Sequence, residues 1–266
     1  AYRGDGSGNA KSDAGDNYLI FGGSSLPSTV DLANLGSAGI TIFGIDAGDT
    51  SGIPVRAAGD VNGDGFDDIL IGAYRADASG NAKSSAGDSY LIFGGSSLPS
   101  TIDLANLGTA GITIFGADGG DYGGVSVSAA GDVNGDGFDD LLIGACLGDG
   151  AGNTRSDAGD SYLIFGGTSL PATINLATLD SLGITIFGAD SADFSGLSVS
   201  TAGDVNGDGF DDLLIGAKQA DASGNSKSLA GDSYLIFGGN LTSSVTHPGT
   251  SVSDTLTGSA GGNIMV

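Results

Sequence analysis

The decapeptide GDVNGDGFDD occupies residues 59–68, returns at 131–140 and returns again at 203–212, so the chain repeats with a period of 72 residues (131 − 59 and 203 − 131). Such a repeat constrains the fold more than any other feature. Each copy is one supersecondary unit whose apolar surface is buried by its neighbours. The rest of the chain keeps the same register. YLIFGG begins at Tyr18, Tyr90, Tyr162 and Tyr234, and GITIFG begins at Gly39, Gly111 and Gly183. Ala1-Tyr2 aligns with Ala73-Tyr74, so the first copy lacks its front half, and the last copy loses register after Gly239.

Each period holds four strand-like runs. In the third copy these are GLSVSTAG (196–203), DLLIGA (212–217) and SYLIFGG (233–239), with GITIFG (183–188) closing the copy before it. The first and last alternate with period two, and the short continuous apolar run DLLIGA suits a strand covered on both faces. The spacers are clusters of Gly, Asp, Asn and Ser, which favour turns. Composition points the same way. The chain has 51 Gly and 32 acidic residues, and every acid is Asp. Asp favours turns and caps where Glu favours helix, so the expectation is all-β. A four-stranded unit of this length is too long for one coil of a β-solenoid and suits a β-propeller blade.

The formal charge of −24 excludes nucleic acid and anionic lipid as partners, because phosphate would be repelled. No apolar run approaches the length of a membrane span, so no membrane insertion is expected. Cys146 is the single cysteine, which rules out an internal disulfide. The chain opens at Ala1 in mid-repeat and reads as an excerpt of something longer.

The decapeptide has the chemistry of a cation loop. Asp60, Asn62 and Asp64 place side-chain oxygens at alternate positions, Gly65 allows a sharp turn at positive φ, Phe66 offers a backbone carbonyl, and Asp68 closes the loop. Five oxygens at positions 1, 3, 5, 7 and 9 suit Ca2+, a hard cation with flexible coordination. Without an ion the three carboxylates repel one another. An EF-hand needs an acid at position 12, where this chain has Ile71, Ile143 or Ile215, and a dockerin-type loop fails in the same way. The run after each loop, DILIGA or DLLIGA, reads as strand, so the loop joins two strands. Asp67 has no ligand position and reads as lying behind the ligands or facing solvent.

The stretch SGLSVSTAGDVNGDGFDDLLIGA (195–217) resembles the FG-GAP repeat of the integrin α-chain β-propeller, most of all its bacterial, integrin-like versions. The resemblance covers residues 1–239. It implies a propeller of four-stranded blades with a calcium loop between the first and second strands. By it the three Ca2+ sites are Asp60, Asn62, Asp64, Phe66 and Asp68; Asp132, Asn134, Asp136, Phe138 and Asp140; and Asp204, Asn206, Asp208, Phe210 and Asp212. About three and a half blades are expected: the second half of a blade over 1–44, blades over 45–116 and 117–188, and a blade lacking its last strand over 189–239. Residues 240–266 read as a linker or a degenerate RTX-like tail. Family propellers have seven blades, so this one is open, or is completed by a missing part or a second chain. The family's Phe-Gly appears here as Ser51-Gly52, Gly123-Gly124 and Ser195-Gly196, and its Gly-Ala-Pro as Gly72-Ala73-Tyr74, Gly144-Ala145-Cys146 and Gly216-Ala217-Lys218.

Smaller signals read as structure. Arg3-Gly4-Asp5 aligns with Arg75-Ala76-Asp77 and is one variant of an ordinary loop. The DxSGN loops, such as Asp77, Ser79 and Asn81, read as Asx turns. Cys146 and the lone His247 belong to no catalytic set, so no enzyme is expected. The functional expectation is an extracellular or cell-surface calcium-binding segment serving adhesion, matrix or scaffold contacts, with a protein or glycan ligand. The competing classes are a non-catalytic propeller appendage of a secreted enzyme and a surface filament or layer subunit that self-associates through open blades.

Overall fold

A computed structural model describes residues 4–5, 11–24, 27–221 and 228–239. Arg3, His247 and the tail 240–266 lie outside the described residues. The chain is all-β: among the described residues the helical elements are one-turn 3-10 segments such as Leu104–Asn106, which Asp103 caps by accepting from the Ala105 N–H at 3.0 Å. Among the described residues no helix is long and apolar enough to cross a membrane.

Among the described residues fifteen strands form four sheets. The first holds β1 (Asp16–Ile20), β2 (Gly39–Phe43) and β6 (Thr101–Asp103). The second runs in the order β11 (Thr173–Asn175), β7 (Gly111–Phe115), β5 (Asp88–Ile92), β4 (Asp68–Ala73) and β3 (Val55–Gly59). The third runs β12 (Gly183–Phe187), β10 (Asp160–Ile164), β9 (Asp140–Ala145) and β8 (Gly123–Gly131). The last holds β13 (Ser195–Gly203), β14 (Asp212–Ala217) and β15 (Asp232–Ile236). The four runs read in each period are all strands, and those of one period pair antiparallel in sequence order.

One element departs from the four-strand reading. Thr101–Asp103 and Thr173–Asn175 fall in segments that read as spacer, yet they are strands. Each leaves its own blade and pairs parallel with the last strand of the sheet before it, Thr41 opposite Thr101 and Thr113 opposite Thr173. Three residues are too few for periodicity to reveal, and the partner lies in another copy of the repeat.

The core lies between successive sheets. DLLIGA alternates Leu141 and Ile143 toward one neighbour and Leu142 toward the other, and all three are buried. This is why that run is apolar without interruption. The sheets approach closely where Gly144 meets the next repeat: a Cβ there would fall well inside contact distance of the Gly196 carbonyl oxygen, and one at Gly72 would meet Gly124 in the same way. These are the glycines that both departing motifs retain. Gly216 holds the same repeat position on the last sheet, and its nearest neighbour to a Cβ would be Ser198 at 3.6 Å. Gly144→Ala is therefore expected to destabilise the protein by about 2 kcal/mol through overpacking, and Gly216→Ala to stay within roughly 0.5 kcal/mol. Denaturant melts of the two variants check the difference, and equal midpoints would remove the close approach as its cause.

Candidate metal centre

Each decapeptide spans a hairpin between the first two strands of a blade. Gly59 pairs with Asp68, Gly131 with Asp140 and Gly203 with Asp212, so the last acid of every loop sits at a fixed register as the first residue of the second strand. These three aspartates are buried, at 1% exposure or less, while the other loop carboxylates are half-buried or exposed. Gly65 adopts the positive φ that the turn requires, +89°.

Inside the loop the oxygens are organised by backbone N–H groups. The Asp60 carboxylate accepts from Asp64 N at 3.0 Å and from Gly65 N at 2.9 Å. Asn62 Oδ1 accepts from Asp64 N at 2.8 Å, and Asp64 Oδ1 accepts from Phe66 N at 3.0 Å. Asp68 is fixed on both oxygens, accepting from Val61 N at 3.1 Å and from Gly94 N at 2.8 Å. The other two loops repeat these contacts. Burial pushes the Asp68 carboxyl up to about 6, against the lowering effect of the Gly94 and Val61 N–H groups, and the charges of Asp64 and Asp60 add to the rise. Asp140 is pushed up to about 7 for the same reasons. Asp204, fully solvated, is held below the ordinary carboxylate range, chiefly by the Gly209 N–H.

The donor set fits Ca2+ in kind: each loop is all oxygen, and a carboxylate oxygen that accepts one N–H keeps a second lone pair for a cation. Among the described residues no three carboxylates, His or Cys stand close enough to hold one ion as they are, so an ion would have to draw the loop oxygens together.

Asp67 is exposed, but its counterparts in the next two loops have a role that the sequence did not show. Asp139 Oδ2 accepts from Asp60 N of the preceding loop at 2.8 Å, and Asp211 Oδ2 accepts from Asp132 N at 3.0 Å. The Gly167 N–H reaches back to the Val61 carbonyl at 2.8 Å. The Phe138 ring covers Gly63, leaving no room there for a side chain. Adjacent loops are thus hydrogen-bonded into a row. In the DxSGN loops the aspartate spans the loop instead of making a local Asx turn: Asp77 Oδ1 accepts from Ser85 N, eight residues on, at 2.7 Å. Cys146 is buried, and burial raises its thiol pKa.

A second recurring set of acids is not apparent from the decapeptide. Asp49, Asp88, Asp121 and Asp160 are buried near the seams between blades, and burial raises their carboxyls to about 6, 7, 7 and 6. A sequence signal for them exists: Asp49 and Asp121, like Asp88 and Asp160, are one period apart. A carboxyl whose folded pKa lies above its unfolded one binds more protons in the native state, so stability falls as pH rises from about 4 to about 7. The melting temperature without divalent cations is therefore expected to be higher at pH 5 than at pH 8, on the order of 5 °C. Asp121→Asn should shrink that gap, and a lower melting temperature at pH 5 would contradict the assignment.

The FG-GAP repeat family matches residues 57–92, 123–164 and 195–235. Integrin alpha pat-2 of Caenorhabditis elegans is 34% identical over 111 residues, 40% of this chain and 8% of that protein. Integrin alpha-5 of Xenopus laevis is 29% identical over 161 residues, 60% of this chain and 14% of that protein. Integrin alpha-PS2 of Drosophila melanogaster is 34% identical over 159 residues, 59% of this chain and 10% of that protein. The chain thus spans between 8% and 14% of the length of these relatives. Three matched repeats, each beginning on the first strand of a blade and ending on its third, and the likeness to these integrin alpha chains make this an integrin-like FG-GAP repeat protein.

Proposed function

We propose that the chain is an extracellular calcium-binding β-propeller segment that serves adhesion, matrix or scaffold contacts with a protein or glycan ligand. One Ca2+ binds in each decapeptide loop, three in all, and its role is structural. The observation that carries this reading is the placement of Asp68 and Asp140: each is a carboxylate at the foot of its loop, destabilised by burial and further by two acidic neighbours, and a cation neutralises such a charge. The names of the integrin relatives support the adhesion role. Isothermal titration with calcium is expected to give three sites with dissociation constants of about 10⁻⁴–10⁻³ M, the range of extracellular modules. Asp64→Ala, Asp136→Ala and Asp208→Ala should each remove one site. A calcium heat no larger than that of the triple variant would defeat the proposal.

A further inference from the structure

Each decapeptide carries the dipeptide Asn-Gly at its centre, as Asn62-Gly63, Asn134-Gly135 and Asn206-Gly207. Asparagine is a thermolabile residue. Its route of decay is attack on its own carboxamide carbon, Cγ, by the main-chain nitrogen of the next residue. Glycine hinders that attack least, because it has no Cβ.

The loop brings the two groups together. Asn62 Oδ1 accepts from Asp64 N at 2.8 Å, which folds the carboxamide back over the Gly63 amide. The same N–H polarises the carbonyl and supports the negative charge that grows on Oδ1 during attack. Asn62 Nδ2, the leaving nitrogen, donates to Asp64 Oδ2 at 3.1 Å. The other two loops repeat both contacts. The three glycines have the same backbone twist, with φ of +74°, +76° and +77°, and all three are exposed to water.

One contact differs. The Gly135 N–H donates to Asp132 Oδ1 at 2.8 Å, and the Gly207 N–H donates to Asp204 Oδ1 at 2.7 Å. Among the described residues the Gly63 N–H has no such acceptor, and the Asp60 carboxylate is taken by the N–H groups of Asp64 and Gly65. A nitrogen whose proton is held by a carboxylate attacks poorly, because the charge it must develop faces an anion. The decapeptides are identical in sequence, so this difference comes from the fold alone.

We propose that Asn62 is a site of spontaneous deamidation, and that Asn134 and Asn206 are protected from it. A bond forms from Gly63 N to Asn62 Cγ, and the bond from Cγ to Nδ2 breaks. The departing nitrogen leaves as ammonia and carries away the Gly63 proton. Water then opens the succinimide ring at either carbonyl, which leaves aspartate or isoaspartate at position 62. Both products add a negative charge to the first loop. Isoaspartate also routes the backbone through the former side chain, which parts the Asp64 N–H from its acceptor.

Incubation of the full chain at pH 8 in EDTA tests this, and EDTA keeps the outcome independent of the calcium reading. Trypsin separates the three sites, because Arg56 and Arg75 flank the first, Lys83 and Arg155 the second, and Arg155 and Lys218 the third. Mass spectrometry then reads the deamidated fraction of each. Asn62 is expected to react about tenfold faster than Asn134 or Asn206, the factor that one hydrogen bond to a charged group corresponds to. In guanidinium chloride the three rates should become equal. Asp132→Ala removes the acceptor of the Gly135 N–H and should bring Asn134 up to the rate of Asn62, with Asn206 as the unchanged reference. Far-UV circular dichroism confirms that this variant folds, and the comparison within the wild-type chain decides alone if it does not. Equal rates at the three sites of the folded chain overturn the proposal. So does a faster rate at Asn134 or Asn206, or an Asn134 that stays slow in folded Asp132→Ala.

Discussion

In millimolar calcium the protein is expected to melt about 10 °C higher than in EDTA. A ligand at roughly tenfold excess over its dissociation constant stabilises the native state by about 1.4 kcal/mol per site. Three sites give about 4 kcal/mol, and a chain of this size gains roughly 2–4 °C per kcal/mol. The gain should be specific. Magnesium demands tighter octahedral geometry and gives up its water reluctantly, so it should shift the melt much less. Circular dichroism melts in EDTA, magnesium and calcium make the comparison. Identical melts in all three would leave the decapeptides as metal-free Asp turns, and the sheet architecture would stand without the calcium role.

Within one loop, the buried and solvated acids should fail in different ways. Asp140→Ala is expected to cost about 2–4 kcal/mol even in EDTA, because it leaves the Val133 and Gly166 N–H groups without their acceptor and each orphaned donor costs about 1–3 kcal/mol. Asp136→Ala should be nearly silent in EDTA and lose about 1.4 kcal/mol in calcium, the contribution of its one site. Asp140→Asn separates the two roles of that residue. It keeps one acceptor and removes a charge that burial disfavours, so in EDTA at pH 8 it should melt near the wild type, yet it should lack one calcium increment. Denaturant titrations of the three variants, with and without calcium, check this. Equal losses for Asp136→Ala and Asp140→Ala in EDTA would mean that the register of the second strand does not depend on its buried carboxylate.

What the sequence made legible was local. The four main strands of each period follow from alternation and from the uninterrupted DLLIGA run, and the positive φ at Gly65 follows from the turn it must make. What it hid lies between copies. Asp139 sits in the same decapeptide as Asp136, and nothing in its spacing says that it reaches the amide of Asp60 in another copy. The strands Thr101–Asp103 and Thr173–Asn175 were hidden for the same reason. A repeat shows which residues recur, and its contacts across a seam join positions that the alignment places one above the other. Asp88 and Asp160 show a different limit. They recur visibly, but an Asp that begins an apolar strand reads as a cap, and its burial emerges only when the neighbouring blade is in place.

The short crossing strand also sets the order in which the protein can finish itself. Thr41 is paired with Thr101, which a ribosome reaches sixty residues later (101 − 41), and Thr113 waits as long for Thr173. At about 5–20 residues per second that delay is roughly 3–12 s. Through that interval each newly made blade presents a bare strand edge, open to pairing with any extended segment nearby, another nascent chain included. These two strands are each sealed by the following repeat, so the vulnerable position travels along the chain during synthesis.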